Sequence, residues 1–170
     1  FPLKALPMKL RTQAIASGEL KVWCANRQAV LDLSYYYNGK HKPNASSDVY
    51  YPFAGQPGLM YDLRPAIEAY ANTISPRTLS QLGTYLNALF TFLYKAGHTA
   101  IRVAEIEEEL LAEHAAWIKK TGVSKSYRAQ LHSTGNRLLE HLHARSGQDN
   151  ANLTYKGRAL KYPTIKQGSS

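Results

Sequence analysis

The chain has 170 residues, 44% of them hydrophobic, which is enough for a buried core and argues against wholesale disorder. No apolar run approaches the roughly 20 residues of a membrane-spanning helix, and the single cysteine, Cys24, excludes an intramolecular disulfide and any multi-cysteine zinc site. The net charge of +9 comes from 21 Lys and Arg against 12 Asp and Glu, a balance that favours a polyanionic partner.

The chain begins at Phe1 without a charged-then-apolar leader, so we read it as an excised or processed piece. Residues 1–18 hold Pro2, Pro7 and Gly18 with no sustained period, and they read as an extended arm. Leu20–Cys24 and Ala29–Tyr37 are predicted strands, the second with Leu31 and Leu33 alternating with Asp32 and Ser34. Asn38-Gly39 closes it with a turn dipeptide, and residues 38–60 are rich in Pro and Gly. Residues 1–61 are thus expected to form a small β-containing section with loops.

From residue 62 the pattern turns helical. Leu63, Ala66, Ile67 and Tyr70 make a short stripe that ends before Pro76. Ser75 caps the next helix and Pro76 starts it, because the first turn has no use for the missing N–H. Leu79, Leu82, Leu86, Leu89, Phe90 and Leu93 then recur at helical spacing until Gly97. A second long helix is predicted from near Ala104 to Gly122, with early acids at Glu105–Glu109 and late bases at Lys119 and Lys120 to suit its dipole. Ser124 caps a third, with Tyr127, Leu131, Leu138 and Leu142 facing inward and Gly147 closing it. Residues 148–170 are polar and read as a basic linker or tail. The fold class expected is α+β, mainly α: a helical bundle over 62–147 behind the β-containing section.

No catalytic constellation emerges. Glu113-His114 has no second His four residues on, and His141 and His143 point to different helix faces, so neither makes a metal site. There is no Gly-x-Ser-x-Gly elbow and no Gly-rich phosphate loop. Cys24 lies in an apolar strand, where an inert thiol is the simpler reading. The expectation is a non-enzyme, without metal, cofactor or small-molecule substrate.

The charge is unevenly placed: +3 over residues 1–62, zero over 63–121 and +6 over 122–170. On the third long helix, the surface left by the apolar stripe carries Lys125, Ser126, Arg128, His132, Ser133, Asn136 and Arg137. This mixture suits a duplex, since Arg and Lys attract phosphate and can read guanine, Asn can read adenine, and Ser donates to phosphate. The helix from Pro76 offers Arg77, Thr78, Gln81, Thr84, Asn87, Thr91 and Lys95. An ordinary solvated polar face is the alternative for both. Seven tyrosines between Tyr35 and Tyr70 suggest base stacking, a protein interface or plain core packing.

The stretch Ser75-Pro76-Arg77-Thr78-Leu79, Tyr85-Leu86, Leu89-Phe90-Thr91-Phe92-Leu93 and Gly97 resembles the first helix of the core-binding domain of tyrosine recombinases, the phage integrase family. Ile106, Leu110, Trp117-Ile118 and Gly122 resemble its middle helix, and Ser124-Lys125-Ser126, Leu131, Arg137-Leu138-Leu139 and Leu142 its last. The resemblance covers about residues 62–146 and implies a SAM-like bundle, of bacterial or phage origin, that clamps recombination-site DNA beside other protomers in the cytoplasm, at the nucleoid. The family cuts DNA from a separate domain with a Tyr nucleophile and a His-x-x-Arg motif. That motif does not occur here, His98 to Arg102 and His141 to Arg145 each being one residue too long. The chain therefore reads as the DNA-binding part without its chemistry. Competing readings are a helical protein-interaction module and a helix-turn-helix regulator, the latter from Thr121-Gly122-Val123-Ser124-Lys125-Ser126, which looks like that motif's turn.

Overall fold

The computed structural model describes residues 19–24, 27–32, 56–98, 101–145 and 159–165. Among these residues four helices dominate, and the mainly helical class holds. The backbone of β1 (Glu19–Cys24) pairs antiparallel with β2 (Arg27–Asp32), with Glu19 opposite Asp32 and Cys24 opposite Arg27. The remainder of the expected β-containing section, including the arm and Tyr35, Tyr36, Tyr37, Tyr50 and Tyr51, lies outside the described residues.

Helix α1 spans Pro57–Ala71, α2 Pro76–Lys95, α3 Glu108–Lys120 and α4 Lys125–Ala144, with a 3-10 turn at Val103–Glu105. α1 starts five residues before residue 62, where the helical pattern is expected to begin. Pro57 occupies its first turn, where a fixed φ favours helix entry, and Leu59 and Met60 are fully buried. Pro65 then lies inside the helix and removes the i+4 donor from the Tyr61 carbonyl.

The caps expected for α2 and α4 are present. Ser75 Oγ accepts from Thr78 N at 3.3 Å, and Ser124 Oγ accepts from Tyr127 N at 3.1 Å. Gly97 and Gly122, just past the ends of α2 and α3, both have φ of 82°, which a side chain would strain. The middle helix is shorter than its charge pattern suggests. The Glu105 carboxylate accepts from Arg102 N at 3.0 Å and closes a separate turn, leaving α3 to begin at Glu108.

All four helices surround one core, with Phe90, Leu63, Ile67, Leu82, Leu86, Leu93 and Ile118 almost wholly enclosed. Two polar side chains tie the connection between α2 and α3 onto α1. Gln56 donates from Nε2 to the His98 carbonyl and accepts from Ile101 N, each at 3.1 Å. Asp62 takes Arg102 Nε at 2.8 Å and Nη2 at 2.6 Å, and also Val103 N at 3.1 Å. Its neighbour pair, Arg64 with Glu68, is buried and joined at 3.0 Å. A buried carboxylate is tolerable only with such partners.

The expected linker behaves differently. Within 159–165 the chain packs on the bundle as a strap, and Tyr162 is a core residue at 4% exposure. The domain thus extends past the boundary expected at residue 147. Residues 148–158 and 166–170 lie outside the described residues.

Candidate nucleic-acid interface

α2 keeps its polar residues at the surface. Arg77 and Lys95 are exposed, while Thr78, Gln81 and Thr84 are half-buried. Two hydroxyls are already engaged locally: Thr78 Oγ1 lies 3.1 Å from Ser75 Oγ, and Thr84 Oγ1 donates to the Ser80 carbonyl at 3.1 Å. The 20 residues of α2 include no Asp or Glu. α4 has a single carboxylate, Glu140, in a helix of the same length. The acids sit elsewhere, with Glu108, Glu109 and Glu113 on α3.

On α4 the structure divides the expected set. Ser126, Ser133 and Arg137 are exposed and Lys125 is half-buried. Arg128 and His132 are not on the surface: they are 6% and 9% exposed. Asn136 is half-buried, and its Oδ1 accepts from Tyr162 N at 2.7 Å. For His132 and Asn136 the cause is the strap, which lies across their side of α4, whereas Arg128 turns to the Val123 carbonyl. His132 Nδ1 lies 3.1 Å from the Pro163 carbonyl, which can only accept, so this nitrogen carries the proton. The His132 ring also stacks on Tyr162, with centroids 5.2 Å apart. Tyr127, expected inward, is 39% exposed, because the buried face of α4 is centred nearer Leu131, Gly135 and Leu138.

Beneath the strap lies a buried polar cluster. The Tyr162 hydroxyl is 2.6 Å from that of Tyr85 and 2.7 Å from His114 Nδ1. His114 stacks on Phe92 at 4.9 Å between centroids. Burial, reinforced by His132, lowers the His114 pKa to about 3, so its imidazole is neutral at physiological pH. Burial likewise lowers that of His132 and raises the Tyr162 phenol well above its usual value, with Tyr85 adding to the latter. Gly135 permits the cluster. A Cβ there would lie 2.6 Å from Tyr162 Cε1 and 2.7 Å from Tyr85 Cε1, so α2, α4 and the strap converge where one residue has no side chain.

Of the expected site residues, the fold brings Arg128 and His132 together, lining a cavity of about 280 Å³ between α3, α4 and the strap. Lys119 and Thr164 share that lining. Reading the sequence did not single out Lys119, Tyr162 or Thr164 as site or core residues. The available signal was weak: Leu160, Tyr162 and Ile165 punctuate a polar stretch without any helical or strand period. No described helix is long and apolar enough to cross a membrane. Compared with known proteins, the chain matches no family model, no curated protein and no solved structure.

Proposed function

We propose that this chain is the DNA-binding part of a site-specific tyrosine recombinase or integrase, its helices forming a SAM-like core-binding bundle that clamps duplex DNA. The observation that carries the reading is the charge distribution: the two longest helices carry a single carboxylate between them, Glu140, while Glu108, Glu109 and Glu113 lie on α3. A surface that presents Arg77, Lys95, Lys125 and Arg137 in this way attracts a phosphate backbone, and Ser126 and Ser133 add donors to it. The order of capped helices resembling the integrase family gives the class of DNA transaction. Strand cleavage would belong to a separate catalytic domain, since the chain lacks the His-x-x-Arg motif. The β-containing section would precede the clamp, and the working place would be the bacterial or phage-infected cytoplasm, on the nucleoid.

The test is titration of a duplex at several salt concentrations. Contacts to Z phosphates should give a slope of log K against log salt near −0.9Z. Replacing Lys125 and Arg137 together by Glu should weaken binding and flatten that slope, whereas Glu107→Lys should not weaken it. Arg128 is unsuitable for this purpose because it is buried. Absence of duplex binding at low salt would overturn the proposal and favour a protein-interaction module.

A further inference from the structure

The cavity between α3, α4 and the strap opens to solvent, with Lys119 and Thr164 exposed beside it. Small residues make the room for it, since Ala112, Ala115 and Ala116 present only methyl groups along α3. Its polar lining is Lys119, Arg128, His132 and Thr164, and among the described residues no carboxylate lines it.

Arg128 is the central observation. It is 94% buried, yet its hydrogen bond among the described residues is a single long one, from Nη1 to the Val123 carbonyl at 3.4 Å. Its guanidinium pairs with no described carboxylate. Its other N–H donors are not sealed from water, and the side chain lines the cavity with a permanent charge that an anionic acceptor can satisfy. His132 Nε2 is buried without a partner, but with the proton on Nδ1 it is an acceptor and takes no part in holding an anion.

We propose that this cavity binds a phosphate oxyanion, with Arg128 as its bidentate anchor. The planar fork of Arg128 matches two phosphate oxygens, Lys119 supplies a point charge at the rim, and the Thr164 hydroxyl a further donor. At about 280 Å³ the cavity falls just below the range of drug-sized ligand pockets. It therefore takes a small phosphate, or one phosphate of a nucleic-acid strand, rather than a whole dinucleotide. The inference stands on the cavity alone and does not require the DNA-binding reading.

Inorganic phosphate is the probe, added to the full chain at constant ionic strength and followed by amide and guanidinium NMR shifts. Saturable shifts at Arg128, Lys119 and Thr164 are expected. Arg128→Gln should weaken binding about tenfold or more, as loss of a charge-assisted bidentate contact does. Lys119→Gln and Thr164→Val lie at exposed positions, so they decide the matter if Arg128→Gln does not fold. Each should weaken binding measurably, with Lys119→Gln the stronger. Absence of saturable shifts, or an affinity unchanged in these two variants, overturns the proposal. Addition of a short duplex distinguishes the sources. Displacement of phosphate shows that a backbone phosphate occupies the cavity, and undiminished phosphate binding beside the duplex shows a free ligand. Duplex binding without phosphate binding removes the cavity site and leaves the DNA reading standing; phosphate binding without duplex binding does the reverse.

Discussion

Tyr162 should be among the residues on which the fold most depends, although it lies beyond the expected end of the domain. Its ring is 4% exposed, and its hydroxyl serves both Tyr85 and His114. Tyr162→Ala removes a buried aromatic, a change that costs about 3–5 kcal/mol in protein cores. It also strips the Tyr85 hydroxyl and His114 Nδ1 of their shared partner. Tyr162→Phe keeps the ring and deletes only the oxygen, for which about 1–3 kcal/mol is the usual loss when buried polar groups are orphaned. The expected order of stability is therefore wild type, then Tyr162→Phe, then Tyr162→Ala. Urea unfolding followed by far-UV circular dichroism measures these differences directly. Fluorescence gives a local probe, because the Trp117 ring lies 6.1 Å from that of His114. Tm should fall by roughly 2–4 °C per kcal/mol for a chain of this size. If the strap merely lay on the surface, Tyr162→Ala would cost no more than about 0.5 kcal/mol, as surface substitutions do. That result would refute the reasoning and return the domain boundary to residue 147.

Gly135→Ala gains about 1 kcal/mol of helix propensity but drives a Cβ to within 2.8 Å of two tyrosine rings. Overpacking costs about 1–3 kcal/mol, so a net loss is expected in thermal melts, and a raised Tm would contradict it. Removing the α4 cap with Ser124→Ala should cost about 1 kcal/mol, since the Tyr127 N–H loses its acceptor; an unchanged urea midpoint would show that the bond does not matter. For His114 the folded pKa of about 3 lies below the ordinary 6.5. Above pH 6.5 both folded and unfolded chains hold it neutral, and its contribution is fully present. As pH falls from 6.5 toward 3, the unfolded chain takes up a proton that the folded one refuses. Stability should then drop by up to about 1.4 kcal/mol per pH unit from this group. An NMR titration of the His114 ring with a midpoint above 6 would exclude the buried arrangement.

Local signals in the chain were sufficient for the helices themselves. Ser75-Pro76 and Ser124 mark two starts, and Gly97 and Gly122 mark two ends, because capping and positive φ are properties of a few consecutive residues. The leucine spacing likewise identified the inward residues of α2. It failed where a partner distant in sequence decided the outcome. α1 begins at Pro57 within a stretch read as loop, since Leu59 and Met60 gain their value only from burial. Pro and Gly content concealed them.

The candidate site divides in the same way. Arg77, Lys95, Ser126, Ser133 and Arg137 were legible as surface residues from helical period alone, and they are exposed. Arg128, His132 and Asn136 were assigned to the same surface by the same rule; the strap withdrew His132 and Asn136 from it, and Arg128 turns to the Val123 carbonyl. Periodicity within one helix reports which side bears leucines, but it carries no information on what a segment some 30 residues later lays across the opposite side. What the sequence by itself determined is a set of capped helices and a charge placed away from the acids of α3. Only the tertiary structure decided that Tyr162 completes the core and that Arg128 lines an open cavity instead of the exposed face of α4. The physical reason is that burial is a property of two surfaces meeting, and one of them here is a short aperiodic strap.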